Sequence, residues 1–387
     1  MMQGIGFGFR RLVAVLAVGG AVLLTGCGEF FYPVTGGTTP TGSSTYVYVT
    51  NIGSGGVGGT LSAYTLTSGV LAAVSGSPIS LPAVPTSVVV APNNAFLYVA
   101  TNLGVFMYTI ASGGVLTEGN NSTIVYQGPS FPQALAVDST SSWLLIANNN
   151  STELDALPVD PTSGIPTTNT PAAVTLSSAT PAGLAISPAN GSVAVALGTG
   201  GTNVWAFNAA NSNPWGNTRN GILLNSSKTY PGTSTNAVAF DTTSTYLFLA
   251  ESSTNNSADD LRKLTLASIS SPETDYPVGK VPSAILADLS GTYVYVSNNT
   301  NNTISGFSLS AGALTALTDS PYGTAKSPLG LVEDSTKSYL LSIGNGNNPN
   351  LWVYSFDATS LGSLDVANTN STASTNPSLS NSIAVSH

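Results

Sequence analysis

Glu251, Lys280 and Lys326 are the residues of this sequence whose types and spacing could do chemistry. Each lysine stands two residues before a proline, Pro282 or Pro328, that opens a recurring strand, and Glu251 closes a recurring strand just upstream. A carboxylate flanked by two ammonium groups binds an anionic or zwitterionic ligand, or becomes a poised acid or base. The plainer alternative is that all three are solvated loop charges, since exposed ion pairs contribute little. Asn51, Thr101, Asn148, Asn298 and Asn345 end or follow equivalent strands and would add amide and hydroxyl groups for a polar ligand.

Other chemistries lack their parts. The one histidine is His387, the last residue, and the one cysteine is Cys27. Zinc sites built on His and Cys, haem ligation by His, Cys/His pairs and Ser/His/Asp triads therefore need an imidazole that only the terminus can supply. No internal disulfide can form. Asn-rich stretches at 148–150, 298–303 and 344–350 carry almost no carboxylates, whereas calcium sites need several. Asn there suits turns, because it tolerates left-handed backbone. No metal and no cofactor is expected. With 9 basic and 18 acidic residues the net charge is −9, so a phosphate backbone is repelled and no nucleic-acid partner is expected.

The elements that must position these residues repeat along the chain. Second strands begin at Tyr46, Phe96, Trp143, Ser192, Tyr246, Tyr293 and Tyr339, spaced 50, 47, 49, 54, 47 and 46 residues apart. That period belongs to propeller blades. Before the last six lies another strand of Pro-x-x-apolar type, at Pro85, Pro132, Pro181, Pro282 and Pro328, with Thr235 replacing Pro in the fifth. A constant polar loop links each pair, as in Asp138 to Trp143 or Asp241 to Tyr246, which is a hairpin signal. A third segment and a Gly turn follow, giving four antiparallel strands per unit. The first unit lacks its innermost strand, and Ser382 to Val385 carries the matching pattern at the far end. The expectation is an all-β, seven-bladed β-propeller over residues 46–387, closed by pairing of the C-terminal strand with the first blade. On such a ring Asn51, Thr101, Asn148, Glu251, Asn298 and Asn345 would gather around the mouth of the central channel.

Ahead of the repeats, Leu12 to Leu24 is almost wholly apolar and follows Arg10-Arg11. A spanning helix needs about 20 apolar residues, so residues 1–26 read as a signal peptide. Leu24-Thr25-Gly26-Cys27 resembles the lipobox of bacterial lipoproteins, which implies cleavage before Cys27 and acylation of its sulfur and new amino terminus. Two or more chains give stable anchoring. Residues 27–45 would then be the lipidated Cys and a flexible linker. The expected location is the bacterial cell envelope, at the outer membrane or cell surface, with the membrane as a partner through Cys27.

Tyr48-Val49-Thr50-Asn51 spells YVTN, and Tyr295-Val296-Ser297-Asn298 nearly repeats it. From Tyr46 onward the chain resembles the seven-bladed YVTN and lactonase-like propellers. That resemblance implies a cluster of Glu, Arg and His on one face that binds substrate and activates water. By position Glu251 has a counterpart, while Arg219 and Arg262 fall in the outer parts of blades four and five. Two functional readings follow. The first is a binding or scaffolding module for a polar ligand such as a glycan, or for an envelope protein. The alternative is a lactonase-type hydrolase similar to phosphogluconolactonase, with Glu251 as base and Lys280 and Lys326 holding an anionic lactone. Whether the chain is an enzyme is left open by the incomplete constellation, which favours the binding reading.

Overall fold

The structure is a computed structural model that describes residues 45–216, 221–224, 233–253, 259–269, 274–372 and 379–387. Residues 1–44, which hold the expected signal segment, Cys27 and the expected linker, and Arg219 lie outside the described residues. Seven antiparallel sheets succeed one another along the chain, one per sequence repeat. Blade five shows the pattern: Ser234–Phe240 innermost, then Tyr246–Ser252, Asp260–Thr265 and Thr274–Pro277 outermost. The second strands of blades two to seven begin at the expected residues, and that of blade one begins one residue early, at Thr45. In blade four the innermost strand begins at Gly183, two residues after Pro181.

The second strands are apolar without a break because both of their faces are covered. In blade five Leu247 and Leu249 pack with Ala185 and Ala194 of blade four, whereas Phe248 and Ala250 pack with Ile285 and Val294 of blade six. The side-chain period of two thus sends alternate residues into two different interblade cores. The same alternation points each residue that ends a second strand toward the preceding blade.

On the lower face, the innermost strand of each of blades two to seven turns into its second strand. Asp241 shapes that turn: Oδ1 accepts from the N–H groups of Thr245 at 2.7 Å and Tyr246 at 2.5 Å, while Oδ2 accepts the Thr243 N–H at 3.1 Å and the Thr243 hydroxyl. Asp138, Asp288 and Asp334 do the same in blades three, six and seven. The constant loop length read from sequence is the reach of one carboxylate over five residues.

Closure follows the expected route. Leu379–Val385 pairs with the first strand in the register Val47↔Val385, Tyr48↔Ala384 and Val49↔Ile383. Neighbouring innermost strands are also stitched together by side chains. Asn381 Nδ2 donates to Pro85 O at 2.6 Å, Thr86 to Pro132 O at 2.7 Å, Asn236 to Pro282 O at 2.9 Å and Ser283 to Pro328 O at 2.6 Å. Each donor occupies the same position in its blade, so the ring is locked at the upper ends of its inner strands.

Candidate active site

Glu251 sits at the upper end of Tyr246–Ser252 and is 2 % exposed. By strand alternation it faces blade four. Its pairing partners are Thr235 on the innermost strand and Asp260 on the third. Arg262, two residues beyond Asp260, lies on the same side of the sheet and brings Nη1 to 3.4 Å from Glu251 Oε1. Thr235 Oγ1 stands 3.4 Å from the same oxygen. Glu251 Oε2 is buried and has no hydrogen-bond partner among the described residues. Burial raises the Glu251 pKa above the usual carboxylate range, the Arg262 charge opposes that rise, and nearby Asp275 adds to it. A desolvated carboxylate held through one oxygen, with the other open to accept, is the form a general base takes.

A second charged group adjoins this one. Asp259 Oδ1 accepts the Ser253 N–H at 3.0 Å, and Oδ2 accepts the Val281 N–H at 2.7 Å. Lys280 Nζ lies 4.0 Å from Asp259 Oδ1. Val281 adopts φ +54°, a left-handed conformation that β-branched residues avoid and that stores strain. Asp259 and the Asn299 N–H, which donates to Val281 O at 2.9 Å, hold it there.

Several expectations are corrected by this geometry. The cation beside Glu251 is Arg262, which stands on the third strand of blade five but is only 5 % exposed. Lys280 faces Asp259 instead, and Lys326 is exposed with its stem lying over Gly346. The amides do not form an open ring at a channel mouth. Asn51, Asn148 and Asn298 are buried and turn into their own blades: Asn51 Nδ2 meets Ser62 Oγ at 3.3 Å, Asn148 Nδ2 meets Asp155 Oδ2 at 2.8 Å, and Asn298 Nδ2 meets Ser305 Oγ at 3.0 Å. Thr101 donates to Gly104 O at 2.8 Å. Asn345 is half-buried, and its N–H donates to Ser327 O at 3.0 Å. The reason is the pleat, which stands these residues off the sheet face turned to the preceding blade, beside the third-strand side chain on that same face, and not toward the axis.

Sequence reasoning missed Arg262, although a signal was present. The residue ending the second strand pairs chemically with the first variable residue of the third-strand pattern: Asn51 with Ser62, Asn148 with Asp155, Asn298 with Ser305, and Glu251 with Arg262. When the first member becomes a carboxylate, the second becomes a guanidinium. His387 takes no part, because it lies on the lower face, where its N–H donates to Asn94 Oδ1 at 2.7 Å in the hairpin loop of blade two. Among the described residues no three His, Cys, Asp or Glu side chains stand together as a metal-binding group.

Comparison with known proteins agrees with this architecture. A family model described as lactonase, seven-bladed β-propeller, matches residues 46–377. A Pseudomonas aeruginosa periplasmic gluconolactonase superposes with a TM-score of 0.64 at 14% identity, covering 89% of this chain and 99% of that one. A Lactobacillus plantarum protein gives 0.67 at 18% identity, covering 89% and 100%. A Bacteroides fragilis protein whose suggested activity is that of a 6-phosphogluconolactonase gives 0.67 at 14% identity, covering 90% and 100%. Comparison with curated proteins finds no match. Such identities speak for the fold alone, but the family match spans nearly every blade: the chain belongs to the lactonase family of seven-bladed β-propellers.

Proposed function

We propose that the protein hydrolyses lactones, with the Glu251–Arg262 pair as its reacting centre. The observation that carries this reading is the buried Glu251 carboxylate, anchored through Oε1 by Arg262 and with no hydrogen-bond partner for Oε2 among the described residues. In the proposed step Oε2 takes a proton from a water whose oxygen attacks the lactone carbonyl. The ring C–O bond then breaks, and the departing alkoxide takes up a proton to give the hydroxy acid. Arg262 fixes the carboxylate and limits the rise in its pKa. The family match and the periplasmic gluconolactonase among similar structures support this choice of reaction. A purely binding or scaffolding role drew on an open ring of amides, and the inward turn of Asn51, Asn148 and Asn298 removes that support.

The export reading is also a proposal, supported by the apolar run 12–24 and by the Leu-Thr-Gly-Cys sequence ending at Cys27. Acylated Cys27 would tether the propeller to the bacterial envelope. A Cys27→Ser variant should then leave the membrane fraction, and its retention there would overturn the anchor.

The test of activity is hydrolysis of a panel of sugar and aliphatic lactones by the protein and by Glu251→Gln. Turnover that is lost in the variant supports the assignment. Turnover unchanged by it places the reaction elsewhere, and no turnover in either removes the reading.

A further inference from the structure

We infer that Thr202 of blade four belongs to the Glu251 centre, where it holds the water that Glu251 activates. Its part in catalysis rests on the hydrolase reading, whereas the pairing of the two side chains through a water is read from the fold.

The blades themselves supply the comparison. On each third strand one residue pairs with the next-to-last residue of the six-residue second-strand repeat, as Leu261 pairs with Ala250 in blade five and Thr202 with Ala196 in blade four. In the other blades that residue is Leu61, Val105, Leu154, Ile304 or Leu351. All seven are 0 % exposed. The six aliphatic ones each pack in the core shared with the following blade. Blade four alone places a hydroxyl there, and Thr202 Oγ1 has no hydrogen-bond partner among the described residues. A hydroxyl buried in that state is costly unless something completes it.

This exception stands opposite the other one. Val204, two residues along the strand from Thr202, packs with Leu249 and Leu264 in the core between blades four and five. Strand alternation puts Thr202 on the same face, one step nearer the upper side, and by the same rule sets Glu251 above Leu249 and Arg262 above Leu264. Thr202, Glu251 and Arg262 thus form the polar layer over one apolar core. The second strand of blade four packs against the innermost strand of blade five, so the third strand of blade four comes opposite the second strand of blade five, which carries Glu251. The two blades are also joined at this end: Gly198 and Thr235 exchange backbone hydrogen bonds at 3.1 and 3.0 Å, and Thr235 pairs with Glu251.

Thr202 Oγ1 and Glu251 Oε2 are therefore buried polar atoms on facing sides of one interface, neither bonded to the other nor to any described residue. A water bridging such a pair is the usual way both are satisfied. It also gives the geometry hydrolysis needs. An attacking water is aimed when both of its protons are held. Glu251 Oε2 takes one proton, Thr202 Oγ1 accepts a hydrogen bond from the other, and the oxygen lone pair is left to form the bond to the lactone carbonyl. Thr202 neither gains nor loses a proton in that step.

The experiment measures lactone hydrolysis and urea unfolding for the parent, Thr202→Val, Thr202→Ser, Glu251→Gln and the double variant Thr202→Val with Glu251→Gln. Valine keeps the shape of threonine and is the residue blade two carries at this position. We expect Thr202→Val to lower kcat on the order of ten-fold or more with KM unchanged, and Thr202→Ser, which restores the hydroxyl, to recover most of that loss. The stability effects of Thr202→Val and Glu251→Gln should be non-additive, because both act on one water. A kcat unchanged in Thr202→Val while Glu251→Gln abolishes turnover overturns the role of Thr202 and leaves the hydrolase reading standing, as does an equal loss in Thr202→Ser and Thr202→Val. Turnover that is absent in the parent or survives Glu251→Gln removes the hydrolase reading instead. Unfolding then decides the shared water by itself: non-additive effects support it, and additive ones overturn it.

Discussion

Carboxylates on the two faces of this propeller meet opposite fates. On the lower face Asp138, Asp241, Asp288 and Asp334 each open a hairpin and collect N–H groups from the turn that follows. Both oxygens of each are satisfied by the chain's own backbone. On the upper face Glu251 ends a strand whose neighbouring N–H groups are committed to the sheet ladder. It must find partners in side chains, and among the described residues it finds them for one oxygen. A carboxylate saturated by local backbone is spent on folding, whereas one held by a distant guanidinium keeps a lone pair for chemistry.

Glu333 makes a third case. It occupies the last position of the blade seven inner strand, where the other blades place Val90, Val137, Ile186, Phe240, Ala287 and Val385. Its Oε2 accepts the Leu289 N–H at 2.5 Å, but burial dominates and pushes its pKa up to about 8.

The sharpest break of this comparison is kinetic. Glu251→Gln should lower kcat/KM for a lactone on the order of 100-fold or more, while Asp241→Asn leaves it near the parent value. Equal losses in both would erase the distinction between the faces.

The next effect is a pH dependence of stability. The folded pKa of Glu333 lies above its unfolded value, so the folded state holds the proton more tightly. Stability from this group is full below the unfolded value of 4.5 and is lost as pH rises to about 8. One pKa unit corresponds to about 1.4 kcal/mol, which puts the total at a few kcal/mol. Glu333→Gln should remove that decline, read as urea midpoints at pH 5 and pH 8, and an undiminished decline would assign it to another group.

Asp241→Asn keeps one acceptor oxygen and loses the charge. A cost of about 2 kcal/mol in urea unfolding is expected, since hydrogen bonds to charged groups contribute roughly 1.5–3 kcal/mol each. A variant as stable as the parent would show that the turn holds itself.

Arg262→Met should displace the acidic limb of the pH–rate profile. Arg262 lowers the Glu251 pKa, so its removal raises it, and the limb should move to higher pH. A limb that stays in place would detach Arg262 from the base.

The sequence by itself determined the number of blades, the starts of six of the seven second strands and the closing strand. Those features rest on local signals: an apolar run long enough for one strand, a proline at its start, a carboxylate at its turn. Ser382 to Val385 could be placed in blade one because the first repeat visibly lacked a strand. Glu251 could be singled out as the odd residue among Asn, Thr and Gly, but its partner could not. Lys280 and Lys326 stand out as the charges nearest the inner strands in sequence, whereas Arg262 looks peripheral. Only the cross-strand register, Glu251 with Asp260 and Leu249 with Arg262, puts the guanidinium on the carboxylate. The burial of the amides is a tertiary fact as well. It depends on which blade a strand's last residue faces, and pleat direction and blade order decide that together once the ring has closed.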